Sequence, residues 1–141
     1  MSKKKIVVDS SVIVKWINTQ NEAYIEHADK ILKDVVQGNL EILTSELAKY
    51  EIGNALLKRK QLDLPRAHAS LGTIYALPIT FISETETLAR STYQLGQELN
   101  ITYYDASFLS IAKAYKASLI TDNIKHQGRP SGIKVVPLAR Y

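Results

Sequence analysis

The sequence contains no cysteine, and this absence removes several classes of function at once. Without thiols the chain has no disulfide bonds, no thiolate metal site and no cysteine nucleophile. Only three histidines are present, which argues against zinc, because protein zinc sites are built mainly from cysteine and histidine. The lack of cysteine also agrees with a reducing compartment.

Long apolar runs are also missing. No stretch approaches the roughly 18 consecutive apolar residues that a membrane-spanning helix needs. The start, MSKKK, is basic, but the apolar stretch after it is broken at Asp9 and Ser10, which argues against a signal peptide. We therefore expect a cytoplasmic location. The 141 residues, of which 45% are hydrophobic, predict a single domain over 1–141 with one sizeable core.

The chain has only a small excess of positive charge, with a net charge of +4. A mild basic excess suits a polyanionic partner. The basic residues occur in small clusters, and a solvated surface is the simpler interpretation of each cluster alone. The clusters are Lys3–Lys5, Lys58–Lys60, and Lys125 with His126 and Arg129.

Strand-like and helix-like segments alternate along the chain. Short apolar runs rich in β-branched residues predict strands near 5–8, 40–44, 79–82, 118–121 and 133–138. Helical spacing and end signals predict helices over 22–37, 46–61, 65–77, from a capping box at 83–86 to Asn100, and from about 103. This alternation predicts a parallel sheet covered on both faces, with ligands bound beyond the carboxyl ends of its strands.

Two acidic residues directly follow predicted strands. Asp9 follows the first strand and Asp122 follows SLIT, so both carboxylates are expected at the same edge of the sheet. The alternative is that each aspartate only caps the helix after it, since aspartate is a preferred N-cap residue.

Two further acids lie on predicted helices. Glu51 shares a helix face with Leu47 and Ala55, although it could also border the core or pair with a lysine. Asp105 lies in the first helical turn on the side of Phe108. Its alternative is a capping role with Thr102, favoured by the helix dipole.

The four acids together are more informative than any one of them. Four carboxylates at one edge would repel one another strongly, and a hard divalent cation removes that penalty. Mg²⁺ and Mn²⁺ prefer oxygen ligands. The sequence therefore predicts a Mg²⁺ or Mn²⁺ site.

Four segments carry a family resemblance: VVDSSV, ELAKYEIGNAL, TYYDASFLSIAKAY and SLITDN. They resemble the signature segments of the PIN domain family, and within it the small VapC-like toxins of VapBC-type toxin–antitoxin pairs. The resemblance implies a three-layer α/β/α sandwich with a central parallel sheet of about five strands. It also implies a metal-dependent endoribonuclease, commonly a homodimer, that is inhibited by a cognate antitoxin.

The resemblance assigns roles to matching residues. Asp9, Glu51 and Asp105 match the first three acids of the family, with Asp9 and Asp105 as the main metal ligands. Glu51 would complete the ion's ligand set or orient the attacking water. Ser11 and Thr121 match polar positions that hydrogen-bond the carboxylates or their waters.

The fourth segment departs from the family pattern. The family usually has threonine, one residue, and then aspartate, whereas this chain has Thr121, Asp122 and Asn123 in that order. Either Asp122 reaches the site by a local backbone adjustment, or Asn123 serves as a neutral ligand. Asp122 is the slightly preferred candidate, and either residue would hold a second ion.

Contacts with RNA and with a protein partner are also expected. Lys49, Lys125 and Arg129 are candidates to hold the RNA backbone. Exposed apolar residues of the helices over 46–61 and 65–77, such as Leu57, Leu71 and Tyr75, are candidates to receive a partner. Two other functions stay open: an RNA-processing or quality-control nuclease, and a catalytically weak nucleic-acid-binding module of the same fold.

Overall fold

The computed structural model describes residues 3–124 and 132–141, and its centre is a parallel β-sheet. Within those residues the sheet has five strands in the order β3-β2-β1-β4-β5, and every neighbouring pair is parallel. The strands are β1 (Lys4–Val8), β2 (Leu40–Ser45), β3 (Ile79–Ile82), β4 (Ser118–Thr121) and β5 (Val135–Pro137). All five predicted strands are confirmed: β3 and β4 have the predicted bounds, and the ends of the other three strands shift by no more than two residues.

Helices cover both faces of this sheet. They are α1 (Ser10–Ile17), α2 (Ile25–Val36), α3 (Leu47–Asn54), α4 (Leu64–Ala76), α5 (Glu86–Leu99) and α6 (Tyr103–Ala114). A π-helical turn over Ala55–Arg59 continues α3, and a 3₁₀ turn over Leu138–Arg140 follows β5. Helices α1 and α2 contact strands on one face, α3 and α4 pack against α1, and α6 contacts strands on the other face beneath α5. The predicted α/β/α sandwich is therefore confirmed. No helix within 3–124 or 132–141 is both long and apolar enough to cross a bilayer.

Two helix starts differ from the sequence prediction. Helix α5 begins after Thr85, whose hydroxyl accepts a hydrogen bond from the Leu88 N–H at 3.2 Å, so the predicted capping box at 83–86 is wrong by two residues. Helix α2 begins at Ile25, which leaves Glu22 in the loop before it. The predicted end of α5 is confirmed, since Asn100 adopts the left-handed conformation with φ 53°.

The order of the strands determines where a ligand site can form. From β1 the chain passes through α1 and α2 to β2 on one side, whereas β4 lies on the other side of β1. The strand order therefore reverses at β1 and β4, and such a reversal opens a crevice beyond the carboxyl ends of the strands. Asp9 and Thr121 stand at those two ends. The Thr44 hydroxyl fixes the end of β1 by donating to the Val8 carbonyl at 2.6 Å.

Candidate active site

Asp9 is a buried carboxylate held by two hydroxyl groups. Its side chain is 4% exposed, and although Asp9 stands at the N-cap position of α1, it makes no capping hydrogen bond. The Ser11 hydroxyl donates to Oδ1 at 2.5 Å, and the Thr121 hydroxyl donates to Oδ2 at 2.5 Å. These contacts argue against the capping alternative, because both carboxylate oxygens face polar groups of the sheet edge.

The two hydroxyls are themselves oriented by backbone groups after β4. The N–H of Asp122 donates to the Ser11 Oγ at 3.0 Å, and the N–H of Asn123 donates to the Thr121 Oγ1 at 2.9 Å. A hydroxyl that accepts one hydrogen bond has its proton available for another acceptor. Both protons therefore point at Asp9.

Glu51 lies in α3 and is only partly accessible to solvent. The Ser10 hydroxyl donates to its Oε1 at 3.1 Å. Burial raises the pKa of the Glu51 carboxyl, the Ser10 hydrogen bond opposes that rise, and the negative charges of Asp105 and Asp9 add to it. Two other carboxylates therefore lie near enough to Glu51 to act on its charge.

Asp105 reaches this cluster from the first turn of α6. The cap of α6 is provided by Thr102, whose hydroxyl accepts from the Asp105 N–H at 3.0 Å. The Asp105 carboxylate instead acts on Glu51, whose pKa it raises. Three acids from three separate segments, Asp9, Glu51 and Asp105, thus come together.

Asp122 has a different environment from these three. Its Oδ2 lies 2.9 Å from the Nζ of Lys15, and the Lys15 side chain is 2% exposed. The fourth acid therefore has an ammonium partner inside the protein. Whether Asp122 or Asn123 serves as a ligand stays a prediction.

A cleft of about 370 Å³ opens beside Glu51. Ser10, Ser11 and Glu51 line it together with two basic residues, Lys58 and Arg59. Both basic side chains are exposed, and they come about two helical turns after Glu51. From the sequence alone, solvated surface is the simpler interpretation of this basic cluster, although its helical spacing from Glu51 is a usable signal for a shared site.

The three residues predicted to hold RNA are Lys49, Lys125 and Arg129. The Lys49 ammonium lies 3.1 Å from the Glu46 carboxylate, and 4.5 Å and 5.2 Å from the ring centres of Phe81 and Tyr75. Lys49 therefore has partners within the protein, and its contact with RNA stays a prediction. Lys125 and Arg129 lie outside the described residues, so their role stays a prediction.

The donor atoms fit a hydrated hard cation better than a closed protein cage. Within 3–124 and 132–141, no three histidine, aspartate or glutamate side chains form a group that could hold an ion by themselves. Mg²⁺ commonly keeps several waters and uses only one or two carboxylates. Asp9, Glu51 and Asp105 offer only oxygen donors, and their mutual repulsion favours a positive ion between them.

Comparisons with known protein families and curated sequences bear on the family of this chain. The sequence matches the family model described as PIN domain over residues 6–128. A comparison with curated protein sequences gave no match.

Several solved structures have a similar fold. A chain of VapBC2 from Rickettsia felis, bound to a promoter DNA fragment, superposes with a TM-score of 0.70 at 19% identity, covering 94% of this chain and 98% of that one. A toxin–antitoxin complex from Klebsiella pneumoniae gives 0.68 at 20% identity, covering 94% and 97%. VapC20 from Mycobacterium tuberculosis, described as a sarcin-ricin loop cleaving toxin, gives 0.60 at 16% identity, covering 81% and 86%.

At these identities the structural likeness establishes the fold alone. The match to the family model also shows the family, because it spans most of the chain and includes the segments that supply Asp9, Glu51 and Asp105. The chain therefore belongs to the PIN domain family.

Proposed function

We propose that this protein is a metal-dependent endoribonuclease that hydrolyses RNA phosphodiester bonds. Membership of the PIN domain family supports a nuclease. The observation that carries the proposal is that Asp9, at the end of β1, and Asp105 both lie near enough to Glu51 for their charges to raise its pKa. Glu51 also lines a cleft that has Lys58 and Arg59 on its wall, and basic residues there suit a phosphate backbone.

In this proposal the acidic residues have separate roles. Asp9 and Asp105 would hold Mg²⁺ or Mn²⁺, and Ser11 and Thr121 keep the Asp9 oxygens in one orientation. When bound, such an ion makes a water molecule more acidic and stabilises charge on phosphate oxygens. Glu51 orients the attacking water and accepts its proton, a role that a raised pKa favours.

The cleft supplies contacts for the substrate. Lys58 and Arg59 lie along the cleft wall next to Glu51 and would hold phosphates of the RNA backbone. This arrangement does not use the 2′-hydroxyl as the nucleophile. We therefore expect products with a 5′-phosphate and a 3′-hydroxyl.

The test is a cleavage assay with purified protein that is free of any partner. Wild type, Asp9→Asn and the control Asp29→Asn, an exposed residue of α2, are incubated with structured and single-stranded RNA in Mg²⁺, Mn²⁺ or EDTA. We expect cleavage by wild type and the control with either metal, and none by Asp9→Asn or in EDTA. Equal cleavage by all three proteins, or cleavage that survives EDTA, contradicts the proposal. Retention of RNA without cleavage under every metal would instead indicate the binding-module alternative.

We further propose that the nuclease is the toxin of a toxin–antitoxin pair. The similar structures include VapBC2 from Rickettsia felis and a toxin–antitoxin complex from Klebsiella pneumoniae, which supports an antitoxin partner. Leu57, in the π-helical turn after α3, is 65% exposed, and Tyr75, in α4, is 70% exposed, as a partner surface requires. Leu71 is less exposed than these two, because it packs partly against the core.

The toxin assignment is tested with any small protein that is encoded beside this gene. We expect that protein to copurify with the nuclease and to suppress cleavage, and we expect a Leu57→Asp, Tyr75→Asp variant to cleave without being suppressed. Failure of the neighbouring protein to bind or inhibit would favour a processing or quality-control nuclease. A homodimer, also proposed, is measured by sedimentation of the purified chain.

A further inference from the structure

A buried lysine, Lys15, forms an ion pair with Asp122, the fourth of the predicted acids. The Lys15 side chain lies in α1, is 2% exposed, and has oxygen atoms around its ammonium group. The Nζ lies 2.9 Å from the Asp122 Oδ2, 2.7 Å from the Ala23 carbonyl oxygen and 3.1 Å from the Glu22 Oε1. An ammonium group has three N–H donors, so these three oxygens satisfy all of them.

Two of these three contacts, to Glu22 and to the Ala23 carbonyl, belong to the loop before α2, and further ion pairs hold Glu22 in place. The Glu22 Oε2 also lies 3.0 Å from the Nζ of Lys60 and 3.2 Å from the Nη2 of Arg59. Lys60 is 1% exposed at its side chain and donates to the carbonyls of Asn18 and Gln20. Lys15 is thus fixed on the side of the loop before α2, and its remaining donor reaches Asp122.

Asp122 connects Lys15 to Asp9 through hydrogen bonds of the 122–123 backbone. Its N–H donates to the Ser11 Oγ, which donates to the Asp9 Oδ1. The next N–H, of Asn123, donates to the Thr121 Oγ1, which donates to the Asp9 Oδ2. The 122–123 backbone therefore orients both hydroxyls that fix Asp9.

We infer that Lys15 is a positioning residue for the acidic site, because it holds the Asp122 carboxylate and with it the backbone that orients Ser11 and Thr121 against Asp9. The inference rests on the proposed function in one respect, the assignment of Asp9 as a metal ligand. It also explains the departure in the fourth segment. Asp122 acts through Lys15 and through its own N–H, and it is not an additional ligand of the ion.

Two other roles for Lys15 predict different results. If Lys15 only masked Asp122, which would otherwise bind the ion, removing the ammonium would strengthen metal binding. If Lys15 only stabilised the fold, its removal would lower stability and leave the metal affinity of the folded protein unchanged. The positioning role alone predicts weaker metal binding, so the sign of the change separates the three.

The main experiment compares Lys15→Met with the control Lys33→Met, which removes an exposed ammonium from α2. Mn²⁺ affinity is measured by electron paramagnetic resonance on protein shown to be folded by circular dichroism, and kcat and KM are measured with RNA. For Lys15→Met we expect Mn²⁺ affinity and kcat each to fall about tenfold, as for other groups that orient metal ligands, with KM nearly unchanged. The control should match wild type. Unchanged or tighter Mn²⁺ binding by folded Lys15→Met overturns the inference.

A second variant carries the test if Lys15→Met does not fold. Asp122→Ala removes a partly exposed carboxylate and keeps the N–H that binds Ser11. We expect it to weaken Mn²⁺ binding about as much as Lys15→Met, and the double variant to show no further loss, because both substitutions break one contact. A loss in Asp122→Ala that Lys15→Met reverses would overturn the inference.

The two levels of proposal fail in distinguishable ways. If wild type binds Mn²⁺ and cleaves RNA while folded Lys15→Met equals it, the inference on Lys15 fails and the nuclease proposal stands. If wild type binds Mn²⁺ but cleaves no RNA, the nuclease proposal fails, and the Mn²⁺ affinities still decide the role of Lys15. If wild type binds no Mn²⁺, both are wrong.

Discussion

Two glutamates with restricted exposure have opposite surroundings in this protein. Glu22 has cations around it, namely Lys15, Lys60 and Arg59. Burial raises the pKa of Glu22, but the hydrogen bonds from Lys60 and Lys15 outweigh it and leave that pKa below its ordinary value. Glu51 has the acids Asp105 and Asp9 near it, and its pKa is raised.

The difference separates a structural charge from a functional one. The Glu22 carboxylate has cationic partners within the protein. Removing one member of a buried ion pair leaves the opposite charge buried and uncompensated, which lowers stability. The Glu51 carboxylate is flanked by like charges, and a bound divalent cation would relieve their repulsion. Perturbed acids of the second kind in a cleft are typical of functional sites.

The largest expected effect is on kcat, and it follows from changing Glu51, the glutamate that has acidic neighbours. Glu51→Gln keeps the shape of the side chain and removes the group that would accept a proton. We expect kcat to fall by about 10²–10⁴-fold, the usual range for a general base, while the protein stays folded. Steady-state cleavage and thermal unfolding measure both, and a kcat within threefold of wild type would contradict the role given to Glu51.

The next effect is on the stability of the fold, and it follows from changing Glu22, the glutamate that has cationic neighbours. Glu22→Gln leaves Lys15 and Lys60 buried without their shared negative charge. We expect the free energy of unfolding to fall by about 3 kcal/mol, as when one partner of a buried ion pair is lost. Urea denaturation provides the measurement, with Glu26→Gln, an exposed residue of α2, as the matched control. A loss no larger than that of the control would show that the ion network adds little to the fold.

A smaller effect is the pH dependence of stability, which has opposite signs at the two glutamates. The folded protein binds a proton at Glu51 more tightly than the unfolded chain does, so this group lowers stability as pH rises above about 4.5. At Glu22 the unfolded chain binds the proton more tightly, so its contribution is present above about pH 4.5 and is lost as pH falls through the lowered pKa.

Urea denaturation in EDTA between pH 3 and 8, on wild type and the two glutamine variants, measures these contributions. We expect Glu51→Gln to gain stability relative to wild type as pH rises from about 5 to 7. The stability that Glu22→Gln has lost relative to wild type should shrink below about pH 4. Parallel curves for the three proteins would mean that neither glutamate has a shifted pKa.

The smallest effect concerns Ser10, the hydroxyl that opposes the raised pKa of Glu51. Ser10→Ala removes a stabilising donor, so the pKa of Glu51 should rise further. We expect the acidic limb of the kcat profile to move to higher pH by roughly half a unit to one unit, since one hydrogen bond contributes about 1 kcal/mol. A shift to lower pH would contradict the assignment of this limb to Glu51.

The fold and the convergence of acids could be predicted from the sequence because both depend on local patterns. Apolar β-branched runs gave the strands, and Asp9 follows its strand directly. Glu51 and Asp105 share helix faces with apolar residues. The family resemblance added the expectation of hydroxyls at Ser11 and Thr121, which the structure places on the two Asp9 oxygens.

The ion network behind the site could not be predicted in the same way. Lys15 sits in the apolar stretch of α1, yet its partners Glu22 and Asp122 are brought to it only by folding. Helical periodicity also placed Glu22 at the start of a helix, whereas it lies in the loop before α2. The signal available was Lys15 itself, since a lysine between Val14 and Trp16 in a buried helix requires carboxylate or carbonyl partners.

The central claim is that Asp9, Glu51 and Asp105 form one site for a divalent ion. The most direct measurement is anomalous diffraction from crystals of the wild-type protein soaked in Mn²⁺. We expect a strong Mn²⁺ peak next to carboxylate oxygens of Asp9 and Asp105, with Glu51 beside it, and no such peak in crystals of Asp9→Asn. A saturated wild-type crystal with no peak there, or with Mn²⁺ bound only elsewhere on the surface, would contradict the claim.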